Sequence, residues 1–212
     1  MRIFLFFIFS LMFSAGNIFA QESANQQPAN EAAAPAVETK KEGLHKEYYP
    51  TGELYSEGNY KNGKKDGIFK AYYKNGQLMV ERNFVQDIPN GIDRGFSQEG
   101  KLMFEGVFKS GKRQGVVKYF YPDGKIKTEA NYKDDMLEGI TKQYEPEGKL
   151  VYEINYKKNK LEGVTKQYSK SGKLLAEYTY KDNKREGPFK EYNEDGSLKS
   201  SGKYKDGKLV QK

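Results

Sequence analysis

HKEYYPTGELYSEGNYKNG, residues 45–63, returns in altered form every 24 residues to the end of the 212-residue chain. Aligned on glycine, the copies begin at Gly43, Gly67, Gly91, Gly115, Gly139, Gly163 and Gly187, and a second glycine follows nine residues later, from Gly52 to Gly196. No gap is needed, so seven segments agree in register. Fixed periods of this length mark repeat architectures, in which one unit cannot bury its apolar face alone and neighbours stack.

Each unit reads as a β-hairpin. An apolar residue (Leu44, Ile68, Ile92, Val116, Ile140, Val164, with Pro188 as the exception), a basic residue and an aromatic one (Tyr48 and its copies) fall at alternate positions, the period of a strand. Pro50-Thr51-Gly52 and Pro122-Asp123-Gly124 suit a turn closed by glycine in the left-handed region. A three-residue loop over 50–52 predicts that position 48 pairs with 54, 46 with 56 and 44 with 58. All apolar columns, including Leu54 and Tyr60 with their copies, then share one face. A two-residue loop would pair 48 with 55 and move the set to the wrong side. The second connection, Lys61 to Gly67, reads as a longer polar loop of unassigned geometry. The expected fold is all-β: an elongated antiparallel array of seven hairpins over 43–212, about 14 strands, which twists rather than lying flat.

The pattern G-x-x-K-x-Y-Y-x-x-G-x-L-x-x-E-x-x-Y-K-x-G-K resembles the MORN repeat family in its bacterial variant form, the repeat also found in proteins labelled YwqK-family antitoxins. The resemblance covers residues 43–210. It implies the architecture above and a scaffold that contacts partner proteins, membranes or lipids. The antitoxin label implies a cytoplasmic inhibitor of a co-expressed toxin.

Upstream of the repeats the composition changes twice. Met1 to Ala20 has one charge, Arg2, then a run rich in Phe, Ile and Leu ending in small residues, the layout of a secretory signal peptide. Residues 21–42 are rich in Ala, Gln, Glu and Pro, with no aromatic residue, and are expected to be a disordered linker. The chain has no cysteine, which excludes disulfides and a lipid-modified N-terminal cysteine. The expected location is therefore outside the cytoplasm: periplasm, cell envelope or medium. That setting argues against the antitoxin role.

Little in the repeats suggests catalysis. The single histidine, His45, shares its column with Phe, Asp, Val, Thr, Thr and Phe, so no copy requires an imidazole. One histidine and no cysteine exclude an ordinary zinc site, and the oxygen-bearing pairs Asp134-Asp135 and Asp182-Asn183 lack EF-hand spacing. No enzyme activity and no cofactor are expected. Two polar columns do recur. The basic one, Lys46, Lys70, Arg94, Lys118, Lys142, Lys166 and Lys190, is the candidate interaction track. The acidic one, Glu57 to Glu177 and ending in Ser201, reads as a row for cross-strand charge pairing. Residues 43–212 hold a net +8, after Arg2 (+1) and residues 21–42 (−2) are taken from the chain total of +7. The partners expected are a protein or an anionic envelope polymer, with a membrane surface as a further candidate and nucleic acid disfavoured. The third repeat breaks the pattern at Pro89 and Gly95 and marks either a special site or a bend.

Overall fold

A computed structural model describes residues 40–211; the expected signal peptide and the expected linker up to residue 39 lie outside the described residues. The described residues form a single 17-stranded antiparallel sheet with no helix. The first eight strands are β1 (Gly43–Tyr48), β2 (Leu54–Lys61), β3 (Lys64–Tyr72), β4 (Leu78–Val85), β5 (Ile88–Phe96), β6 (Leu102–Lys109), β7 (Lys112–Phe120) and β8 (Ile126–Lys133). Then come β9 (Met136–Leu137), β10 (Gly139–Tyr144), β11 (Leu150–Lys157), β12 (Lys160–Leu161), β13 (Gly163–Tyr168), β14 (Leu174–Lys181), β15 (Lys184–Tyr192), β16 (Leu198–Lys205) and β17 (Lys208–Gln211). Strands pair in chain order, with β9 and β10 together forming one strand beside β8 and β12 and β13 one strand beside β11, so the sheet is a meander with two open edges, at β1 and β17. The count exceeds 14 because two strands are split, at Glu138 and Glu162, and because β17 adds a closing strand.

Two turns alternate. The first behaves as expected: the Gly52 amide donates to the Tyr49 carbonyl at 2.9 Å, and Gly52 has a φ of 99°. The second is a tight two-residue turn rather than a long loop. Lys61 pairs with Lys64, and Asn62 and Gly63 between them have φ of 55° and 81°. Asn-Gly with both residues left-handed is the hairpin turn whose twist matches that of its strands.

The register departs from expectation in one respect that changes which face is buried. Tyr48 pairs with Leu54, but Glu47 pairs with Ser56, Lys46 with Glu57 and His45 with Gly58. Tyr55 is therefore an extra residue, a β-bulge, and the same shift recurs in all seven hairpins. Beyond the bulge the parity of the second strand is reversed. The expected pairs 46–56 and 44–58 do not form. The aromatic column of Tyr60 shares a face with His45 and Glu47, not with Leu44 and Lys46.

The buried face is thus built from columns that vary between repeats. Val117, Ala130 and Ile154 are nearly inaccessible, beside Phe84, Tyr132, Tyr156 and Tyr180 of the constant aromatic column. No second layer covers them among the described residues. Instead, side chains lie flat across the sheet and fill one another's space. The Phe69 ring occupies the room a side chain would need at Gly58, and the Phe104 ring does the same at Gly95. Edge-to-face contacts link His45 to Tyr60, Tyr60 to Phe69 and Phe69 to Phe84, with ring centroids 5.2–5.4 Å apart. Basic side chains close the top of this layer: Arg113 lies 4.6 Å from the Tyr132 ring centre and Arg185 4.1 Å from that of Tyr178. Backbone links between successive tight turns, such as Asp87 N to Lys65 O at 2.9 Å, join each repeat to the next. The same link extends to Lys41, whose carbonyl accepts from the Gly63 amide at 3.0 Å.

Candidate interaction surfaces

On the exposed face the structure brings the two polar columns into one row. Lys46 pairs with Glu57, Glu57 with Lys70, Lys70 with Glu81 and Glu81 with Arg94. The alternation continues through Lys118, Lys142 and Lys166 to Lys190, which faces Ser201. Ion-pair distances run from 3.2 Å (Lys46–Glu57) to 4.0 Å (Lys118–Glu105). Tyrosines knit the row further: Tyr72, Tyr144 and Tyr168 donate hydroxyl hydrogens to Glu57, Glu129 and Glu153 of the preceding repeat at 2.7–2.9 Å. Burial, with the neighbouring carboxylate second, pushes each of these three phenols up to about 12. The Tyr72 hydroxyl, backed by Lys46, holds the Glu57 carboxyl below its usual range. The seven basic residues singled out in the sequence therefore stand in a row of alternating sign and not in a stripe of positive charge.

The aliphatic residues expected in the core lie on this same face. Leu44, Ile68, Ile92, Val116, Ile140 and Val164 are 37–60% exposed. Around the third repeat Val85, Ile88, Met103 and Val107 are exposed as well. That repeat is also where the buried face carries an ion pair. The Arg82 guanidinium donates to Asp93 at 2.9 Å, with both side chains largely buried. Pro89 lacks an amide to give, but its carbonyl accepts from the Gly111 amide at 2.8 Å, so the link between turns survives there.

The uncompensated charge lies along the edge formed by the tight turns. Lys61 faces Lys64, Lys109 faces Lys112, Lys157 faces Lys160, Lys181 faces Lys184 and Lys205 faces Lys208. The seven turns with their flanking residues hold twelve lysines against five aspartates, +7 of the +8 carried by residues 43–212. All twelve lysines are exposed. Like charges directly opposite each other oppose strand pairing, so this edge stores repulsion that folding alone does not call for. The sequence reading missed it, although Lys-Asn-Gly-Lys held the signal: a two-residue Asn-Gly turn sets its flanking lysines face to face.

Among the described residues no group of three or more His, Asp or Glu is placed to hold a metal ion. A shallow hollow of about 300 Å³ beside Leu150 and Tyr168 is walled by Lys149, Lys170, Ser171 and Gly172. It gathers no acid–base pair.

Solved structures with some likeness include a mutant of S. aureus TarM in complex with fondaparinux, alpha-GlcNAc-glycerol and UDP, at 14% identity and a TM-score of 0.30, covering 51% of this chain and 19% of that one. A second structure of TarM has 12% identity and a TM-score of 0.23, over 56% of this chain and 20% of that one. The chain thus spans about a fifth of the length of these proteins, and a likeness this low carries no argument. No curated protein matches. The repeat described as MORN repeat variant matches residues 41–62, 65–86, 113–134, 137–158, 161–182 and 185–212, passing over only the third repeat within the array. Such repeats generally mediate binding to proteins or membranes, and proteins built from them are generally non-enzymatic. With well over half of its residues matched in tandem, the chain belongs to the MORN repeat variant family.

Proposed function

We propose that the protein is an exported, non-enzymatic scaffold whose repeat array binds an anionic envelope polymer or an acidic protein surface. The lysine edge carries this reading. It concentrates nearly all the net charge of the array on seven stacked turns. Those turns repeat every two strands, about 9.6 Å apart for ordinary strand spacing. Five of the seven turns carry +1 to +3 and those at 85–88 and 133–136 carry −1, so this comb of ammonium groups suits a long polyanion spanning several repeats better than a compact ligand. The layout of residues 1–20 supports export.

The test compares two sets of charge changes in the whole protein. Lys157, Lys160, Lys181 and Lys184 changed together to Gln should abolish retention on isolated anionic envelope polymer at physiological salt. Lys46, Lys70, Lys142 and Lys166 changed to Gln should weaken it far less. Equal loss from both sets would refute a turn-edge site. A chain recovered from the cytosol with Met1 intact would refute export and favour the antitoxin-like alternative.

A further inference from the structure

The alternating row on the exposed face is complete in the interior and cut short at β1. Lys70 stands between Glu57 and Glu81, and Arg94 between Glu81 and Glu105. Among the described residues Lys46 faces Glu57 on one side only. The hydroxyl contact made in three later hairpins is lacking there as well. Tyr72, Tyr144 and Tyr168 each reach a glutamate one repeat back. Tyr48, the corresponding residue of the first repeat, has no earlier repeat and is 59% exposed. The backbone tells the same story: Phe69 to Ala71 pair with Ser56 to Gly58, whereas their counterparts His45 to Glu47 pair with β2 alone. One missing strand would complete all three. It would supply a main-chain partner for Lys46 and a carboxylate between Lys46 and the Tyr48 hydroxyl.

The opposite edge is finished differently. The last copy of the glutamate column is Ser201, and β17 pairs along β16, with its Gln211 carbonyl against Gly202. A second copy stacked head to tail would meet β17 and the end of β16, and neither strand holds a glutamate to face Lys46. Two β1 edges joined about a two-fold axis at that position would set Lys46 against Lys46. Neither arrangement of copies completes the row.

We infer that the β1 edge is a binding site for an extended segment of another polypeptide, added as an antiparallel strand with a glutamate opposite Lys46. The interior strands show what such a segment looks like: Ser56-Glu57-Gly58-Asn59-Tyr60 and Thr128-Glu129-Ala130-Asn131-Tyr132 place small residues beside the glutamate and an aromatic ring three positions after it. Main-chain bonds give such strand addition its affinity, and the side chains opposite give it specificity. The inference rests on the reading of the array as a binding scaffold and names one class of its partners.

The probe is a synthetic peptide with the sequence of residues 126–133, IKTEANYK, titrated into the isotope-labelled full-length protein. Binding should slow hydrogen exchange at the Lys46 amide, which faces away from β2, and leave β17 unchanged. A Glu129→Gln peptide should bind about tenfold more weakly, the effect of losing a hydrogen bond to a charged group. Lys46→Met and Tyr48→Phe in the protein should each weaken binding about fivefold, while Lys190→Met should not. No binding, indifference to the Glu129→Gln change, or protection elsewhere would overturn the assignment. So would a Lys46 amide already protected in the free protein; a doubled mass would then show that a second copy fills the edge. Lysine-edge variants leave this peptide binding unchanged, so failure here removes the edge site without touching the scaffold reading.

Discussion

Gly58 offers the sharpest test of how the buried layer is packed. A methyl group placed there would lie against Phe69, whose ring supplies all three nearest atoms. Gly58→Ala must therefore push the ring out of its edge-to-face contacts with Tyr60 and Phe84 or bend the strand. Overpacking of this kind costs about 1–3 kcal/mol, against a gain of about 0.5–1 kcal/mol for replacing glycine within a strand. The net loss is about 0.5–2 kcal/mol, a fall in Tm of about 1–8 °C for a domain of this size. In a Phe69→Ala background the obstruction is gone, and the same Gly58→Ala change should raise stability by about 0.5–1 kcal/mol. The assay is equilibrium urea unfolding of the four proteins, followed by tyrosine fluorescence and far-UV circular dichroism to check that one transition is seen. A change of sign between backgrounds is the expected result. An equal loss in both, or no loss in the native background, would refute the ring-over-glycine account.

Three further outcomes follow from the same geometry. Asp93→Ala leaves the buried Arg82 without its carboxylate and should cost about 3–5 kcal/mol, whereas Glu105→Gln on the exposed row should cost only about 0.2–1 kcal/mol; thermal unfolding of both variants checks the contrast. Tyr72, Tyr144 and Tyr168 hold their protons to about pH 12 when folded, against 10 for an ordinary phenol. A raised folded pKa gives stability that is present below about pH 10 and lost as pH climbs from there to about 12; an alkaline unfolding titration should show a loss in that window that shrinks in the triple Phe variant. Lys158 has a φ of 49° where other copies of the turn have Asn62, Asp134 and Asp182. Lys158→Asn should raise stability by about 0.5–1 kcal/mol, read as an increase in Tm, because asparagine tolerates the left-handed conformation better.

The repeat itself, the hairpin unit and the glycine-closed turn were legible because they rest on spacing and on local turn chemistry. The two faces were not. Constant columns invite assignment to the core, and Leu44, Ile68 and Ile92 fit that assignment by hydropathy and parity alike. One bulge residue, Tyr55 in the first hairpin, reverses the parity of each second strand, and no periodic signal announces it. The true core columns looked like noise: Gly58, Arg82, Gly106, Ala130, Ile154 and Tyr178 have no common chemistry. They become intelligible only beside Phe69, Asp93, Val117, Thr141, Thr165 and Phe189, which lie on the same buried face one strand along. The lysine edge was hidden for a related reason. Lysines at 61 and 64 read as loop solubility until the turn between them is known to be two residues long.

The pairing of unlike residues inside the layer has a consequence for how the chain finds its register. On its exposed face the array is nearly unchanged by a shift of 24 residues: glutamate still meets lysine, and tyrosine still reaches a carboxylate. Judged by that face alone, the second strand of one repeat could dock beside the first strand of the wrong neighbour. The buried face forbids the exchange. Phe69 needs the open space above Gly58 and would meet a filled position beside Ile154 or Tyr178, and Asp93 brought over Gly58 would be buried without a counter-charge. Uniformity outside and individuality inside let one motif be written seven times while each copy keeps a single address, a protection against slipped and swapped hairpins.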